Sequence, residues 1–129
     1  MNKILIEVSV GELLDKISIL EIKKEKIKDT DKLKFINNEY LILKKQLDEN
    51  ITLNDQLKKL YKELKVINEK LWDIEDNKRM CEKKNDFGEN FIKLSRDVHF
   101  LNDDRAKIKL AINNQTGSKI KEIKQYTNY

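Results

Sequence analysis

From Leu53 to Lys83 the chain contains neither proline nor glycine, and its apolar residues recur at alternating steps of three and four. Leu57, Leu60, Leu64, Ile67, Leu71 and Ile74 therefore form one seam, because 3.6 residues per turn brings residues at those steps to the same face of a helix. Such a helix would be roughly 45 Å long, and the rest of the chain must pack along it. Beside the seam runs a second stripe at helical spacing: Asn68, Trp72, Glu75 and Arg79, with Asp76 next to it. A face that meets only water has no need of the chain's one tryptophan. Indole, amide, carboxylates and guanidinium in one stripe mark a second contact surface, either a polar core or a pocket wall.

The remaining segments read as companions to this helix. Residues 3 to 8 (KILIEV) alternate and predict a short strand or extended arm that needs a bundle or a partner to lie against. Ser9-Val10-Gly11-Glu12 has the form of a capping box opening a first helix to about Lys28, with Val10, Leu13, Ile17 and Leu20 as its seam. Asp29-Thr30-Asp31 offers caps for a second helix carrying Leu33, Ile36, Tyr40, Leu43 and Leu47, and Thr52 or Asn54 can cap the third. Asn85-Asp86-Phe87-Gly88 makes a turn, with the glycine suited to the left-handed conformation that ends a helix. A fourth helix follows to about Asn114 with Phe91, Leu94, Val98, Leu101, Ile108 and Ile112 in register, and Gly117 closes it. No repeat, linker or low-complexity stretch divides residues 1–129, so a single helical domain is expected, with residues 1–8 as arm and 118–129 as basic tail.

Composition narrows the function classes. Charged residues are 39% of the chain and proline is absent, a profile of long helices rather than of an all-β fold. One cysteine, Cys81, gives no internal disulfide, and no apolar stretch approaches the roughly 20 residues of a membrane span, so a cytoplasmic protein without a membrane partner is expected. The net charge of +4 lies in the last third: residues 91–129 hold eight basic and four acidic side chains, whereas the first two segments balance. That interleaving of acids with bases argues against nucleic acid as a partner, because phosphates would be repelled along most of the surface. There is no Cys or His cluster for zinc, no Ser–His–Asp set and no phosphate-binding glycine loop. The DFG letters lack every other kinase motif. His99, the lone histidine, reads as a partly buried packing residue, and Cys81 as inert.

Arg105 is the most informative single position, since it falls on the apolar seam of the fourth helix. A buried guanidinium requires a carboxylate or an anionic ligand. Glu75 and Asp76 are the expected partners, being at a similar depth on the antiparallel neighbour. On the first helix, Asp15, Glu21 and Lys23 matter chemically only if they turn inward towards Trp72, and Glu12–Lys16 reads as an exposed pair supporting the helix.

The segments IEVSVGELLDKISILEIKKEKI, VINEKLWDIED, NDFGENFIKLSRDVHFLNDDRAKIKLAIN and GSKIKEIKQYTNY, in this order, resemble the bacterial family catalogued as domain of unknown function 6165. A looser similarity of the helix-one and LWDIED motifs extends to another uncharacterised helical family found near lipopolysaccharide and glycosyltransferase genes. The resemblance implies an all-helical cytoplasmic protein in that setting, or carried by a phage, with no established activity. The family's pattern falls on Glu12, Asp15, Lys16, Glu21, Lys23, Asn68, Trp72, Glu75, Asp76, Asn102, Arg105, Gly117 and Ser118 of this chain. Tyrosine is common in the family where this chain has His99, and proline where it has Thr127, so neither carries a functional argument.

Together these readings predict an all-α protein: an antiparallel four-helix bundle with long central helices, the third as spine, and a short N-terminal extended arm. A homo-oligomer, a dimer, is expected from the apolar area of the long seams. The leading functional expectation is a binding protein for an anionic small molecule, a nucleotide or sugar phosphate, with no cofactor. In it Lys16, Lys23 and Arg105 neutralise charge, Trp72 stacks on a ring, Asn68 and Asn102 orient the ligand, and Glu75 and Asp76 complete the pocket. One alternative is a metal-dependent hydrolase or transferase acting on a nucleotide or nucleotide sugar, in which magnesium sits among converging carboxylates such as Glu75 with Asp76, Asp103 with Asp104 or Glu21 with Glu25. Another is a structural or adaptor protein with no ligand. Whether the chain is an enzyme stays open at this point.

Overall fold

The computed structural model describes residues 2–129. It contains four α-helices: α1 (Val10–Lys26), α2 (Thr30–Asn50), α3 (Asp55–Lys84) and α4 (Glu89–Thr116). Each boundary has a local cause. Ser9 Oγ accepts from the backbone N–H of Glu12 at 3.1 Å, Asp29 Oδ1 accepts from Asp31 and Lys32, and Asn54 Oδ1 accepts from Leu57. Each satisfies donors that a helix start leaves without a partner. The capping box at α1 is half formed, because the Glu12 carboxylate turns to lysines instead of back to Ser9. Asn85, with φ of 54°, takes the left-handed position that ends α3, and Gly88 starts α4 in extended backbone. The left-handed position thus falls on Asn85 and not on the expected Gly88, which asparagine permits because it tolerates left-handed backbone better than most residues. Gly117, with φ of 64°, ends α4 as expected.

The helices run up, down, up and down. α1 lies antiparallel to α2 and to α4, and α3 forms a hairpin with α4. The longest helix is α3, yet the common neighbour of all the others is α1, which packs on α2, α3 and α4. Its Leu14, Ile17, Leu20 and Ile22 are buried, and Leu14 and Ile17 join Leu47, Leu57, Leu64 and Ile112 in one core cluster. Truncating a side chain as enclosed as Leu14 costs about 2–5 kcal/mol. The central position of α1 explains its two-sided character: one face is apolar towards α2 and α3, and another is polar towards α4.

The N-terminal segment takes the arm alternative and not the strand. Among the described residues there is no strand, and Ile4, Leu5 and Ile6 are 89%, 89% and 77% exposed. The tail folds back along α4, where Tyr129 donates to Asp103 and packs edge-on against Phe100 and His99. His99 is exposed instead of partly buried and belongs to this surface aromatic cluster. Among the described residues no helix is long and apolar enough to cross a membrane.

Candidate functional site

On α4 the residues Arg105, Lys109 and Asn113 follow one another at steps of four and form a polar stripe on a helix otherwise patterned for a core. On α1 Gly11, Asp15 and Ser18 form the matching stripe. Because the two helices are antiparallel, the ends pair in reverse order. The backbone N–H of Gly11 donates to Asn113 Oδ1 at 2.7 Å. A Cβ on residue 11 would lie 2.6 Å from the Lys109 carbonyl oxygen, so glycine is what allows α1 to approach this closely. Asp15, 1% exposed, receives Arg105 through two prongs: Nε donates to Oδ1 at 3.0 Å, and Nη2 donates to Oδ2.

This overturns the expected pairing of Arg105 with Glu75 or Asp76. The guanidinium points across to α1, while both of those carboxylates are exposed on α3. Depth along the bundle does not decide the partner; the face on which α4 meets α1 does. Asn68 completes the arrangement from α3, its Nδ2 donating to Asp15 Oδ1 and Ser18 Oγ at 2.8 Å each. Lys109, also buried, donates at 2.7 Å to Glu12 of α1 and at 2.7 Å to Glu122 of the tail. Hydrogen bonding to Asp15 is the main reason the Arg105 pKa lies above the usual arginine value, so this group stays cationic. Burial pulls Lys109 down, but its bonds to Glu12 and Glu122 outweigh that and hold it above an ordinary lysine. Glu122 is correspondingly held below an ordinary glutamate by Lys109.

A cleft of about 390 Å³ opens beside this network. Its floor is apolar, made by Ile19 and Ile22 of α1 and Leu71 of α3, with the half-buried Trp72 in its wall. Its polar lining comes from Asn68, Glu75, Asp76 and Arg79 of α3 and Arg105 of α4. The volume falls within the range of small-molecule sites, roughly 300–1,000 Å³. Asp15 uses Nε and Nη2 of Arg105, which leaves Nη1 without a bond to a described residue. The two N–H groups of Asn68 are likewise spent inward, and no described residue donates to its Oδ1. Glu75, Asp76 and Arg79 have no ion-pair partner among the described residues.

Five of the expected site residues thus share the cleft: Asn68, Trp72, Glu75, Asp76 and Arg105. Three do not line it. Lys16 is exposed and 3.9 Å from Glu12, Lys23 is half-buried near the end of α1, and Asn102 is half-buried on α4. Glu21 faces α3, accepting from Tyr61 and pairing with Lys65 at 3.1 Å, and burial together with that bond raises the Tyr61 phenol well above its ordinary pKa. Arg79 belongs to the cleft although it was prominent only as part of the stripe. Ser18, Lys109 and Asn113 escape a search for isolated charges. The readable signal for the last two was the step of four from Arg105 on a seam otherwise apolar. Among the described residues no three His, Cys, Asp or Glu side chains converge as a metal site needs.

Fold and site together define a helical-bundle protein with a polar core network bordering an indole-lined cleft. The family of unknown function DUF6165 matches residues 4–129, and the chain belongs to it. No curated protein and no solved structure matches the chain.

Proposed function

We propose that the cleft binds an anionic small molecule of the nucleotide or sugar-phosphate class. The observation that carries this reading is the grouping of the Trp72 ring with two guanidiniums, one of which, Arg105, is clamped from behind by Asp15. A clamped arginine loses little freedom on binding, which raises the affinity its remaining donors can supply. An indole offers a flat apolar face to a base or to the carbon face of a sugar. The lining is not uniformly basic: Glu75, Asp76 and the Asn68 carbonyl are acceptors. A bare phosphate would leave these unused, whereas a ligand carrying hydroxyl or amino donors as well as phosphate uses both sets. Arg79 and Arg105 take the anionic end, and the acceptors take the donor-bearing end.

Because Trp72 is the only tryptophan, its fluorescence reports on this cleft alone. Titration of the full chain with a nucleoside monophosphate, a nucleoside diphosphate sugar and a hexose phosphate should quench or shift that emission saturably with at least one of them. The same protein with Arg79→Ala should need a higher concentration for half-saturation. Unchanged emission with all three at millimolar concentration, confirmed by calorimetry, would sink the reading.

A further inference from the structure

Helix α2 is covered on one side only. Its backbone comes close to α1 alone, and only its inward side chains reach the shared core. Tyr40, Leu43 and Leu47 turn into the core, while Phe35 and Ile42 on the opposite side are 79% and 55% exposed, with Leu41 beside them. Scattered exposed apolar residues are ordinary on a protein surface. These are not scattered. Asp31, Phe35, Asn38, Ile42, Lys45 and Glu49 follow at alternating steps of four and three, the spacing of a coiled-coil seam. The seam is also self-complementary when reversed. An antiparallel copy turned about an axis near Asn38 and Glu39 sets Phe35 against Ile42 and Asp31 near Lys45.

We propose that two copies of this chain associate through the outer faces of α2, antiparallel about a two-fold axis, with each arm laid across the other copy. A two-fold contact requires one patch to complement itself, and this patch does so in its apolar pairing and its charge. The area argument brings in the arm. A stable interface buries about 1,200–2,000 Å², and one helix pair of α2's length, about 31 Å, falls short of that. Ile4, Leu5 and Ile6 supply unburied apolar surface. Val10 and Leu13 at the start of α1 share a core cluster with Leu47 and Ile51 at the end of α2, so the arm leaves the bundle there. In the antiparallel pair that end of one copy adjoins the first half of α2 of the other, where the arm has reach to cover Phe35.

Sedimentation velocity and light scattering of the full chain test this. The expected mass is twice the 15.4 kDa of one chain. Phe35→Lys with Ile42→Lys should halve the mass while circular dichroism keeps the helical signal, since neither side chain contributes to the core. Asp31→Lys alone should weaken association by about tenfold or more through like charges facing each other, and adding Lys45→Asp should restore it. Asn38→Cys should form an interchain disulfide on mild oxidation, against a native Cys81 that is buried. A monomeric native chain, a dimer indifferent to the two lysine substitutions, or no rescue by the charge swap would each overturn the proposal.

Discussion

Asp15 of α1 and Arg105 of α4 are locked in a two-pronged ion pair at the point where three helices meet. The carboxylate is buried, and its other contacts come from the Asn68 amide and, at 3.9 Å, the Lys109 ammonium. Removing one partner of such a pair strands the other. Asp15→Ala should cost about 3–5 kcal/mol in chemical denaturation. Arg105→Met alone should also be costly, because it leaves Asp15 short of donors. Asp15→Asn combined with Arg105→Met should recover most of the loss, since the new side-chain amide oxygen can still accept from Asn68. The double variant is therefore the one in which to measure what Arg105 contributes to ligand binding.

Gly11 is required by proximity, not by backbone conformation. The added methyl of Gly11→Ala would meet the Lys109 carbonyl oxygen at 2.6 Å and Asn113 Oδ1 at 2.9 Å. Neither is a free side-chain end, as Asn113 is 1% exposed. Alanine favours a helix over glycine by about 1 kcal/mol, yet overpacking costs about 1–3 kcal/mol. Thermal unfolding should therefore show a net loss of stability, and a higher melting temperature would contradict the geometry.

The Lys109 cluster predicts a pH profile with two limbs. The ionised Glu122, whose pKa is lowered, contributes fully above the ordinary carboxylate range, and that contribution fades as pH falls through its folded value. The charged Lys109, whose pKa is raised, contributes fully below the ordinary lysine range and is lost as pH rises through its folded value. Melting temperatures measured from about pH 3 to pH 11 should plateau between these limbs. Lys109→Met should flatten the alkaline limb and destabilise the plateau by about 1–3 kcal/mol through the polar groups left without a donor.

Arg79 and Trp72 separate binding from folding. Arg79 is exposed and has no ion-pair partner among the described residues, so Arg79→Ala should leave unfolding within about 0.5 kcal/mol of the native chain. Its effect should appear in the ligand titration, as about a tenfold weaker half-saturation. Trp72→Phe should keep the melting temperature within a few degrees and shift binding, read by calorimetry because the fluorophore is gone.

Much of the fold was legible from periodicity. The α3 seam, the caps at Ser9, Asp29 and Asn54, and the stop at Gly117 are local features, set by 3.6-residue geometry and by short-range hydrogen bonds. The cleft was half legible. Asn68, Trp72, Glu75, Asp76 and Arg79 share one helical stripe, so their neighbourhood followed from spacing alone. The partner of Arg105 was not legible: depth on the neighbouring helix pointed to Glu75 and Asp76, and Asp15 emerges only once the rotation of α4 about its axis is known.

The sequence by itself determined that Arg105 needs an anion and that Trp72 needs a surface, since burying a guanidinium unpaired or wasting an indole on water is too costly in any fold. Only the tertiary structure decided that Asp15 meets the first need and an open cleft borders the second. That choice depends on α1 lying between α2, α3 and α4, close against α4 at Gly11, a long-range packing outcome to which residues 90 positions apart contribute. Local spacing orients side chains around one helix axis, but which helix each face meets is settled by the burial of the whole core.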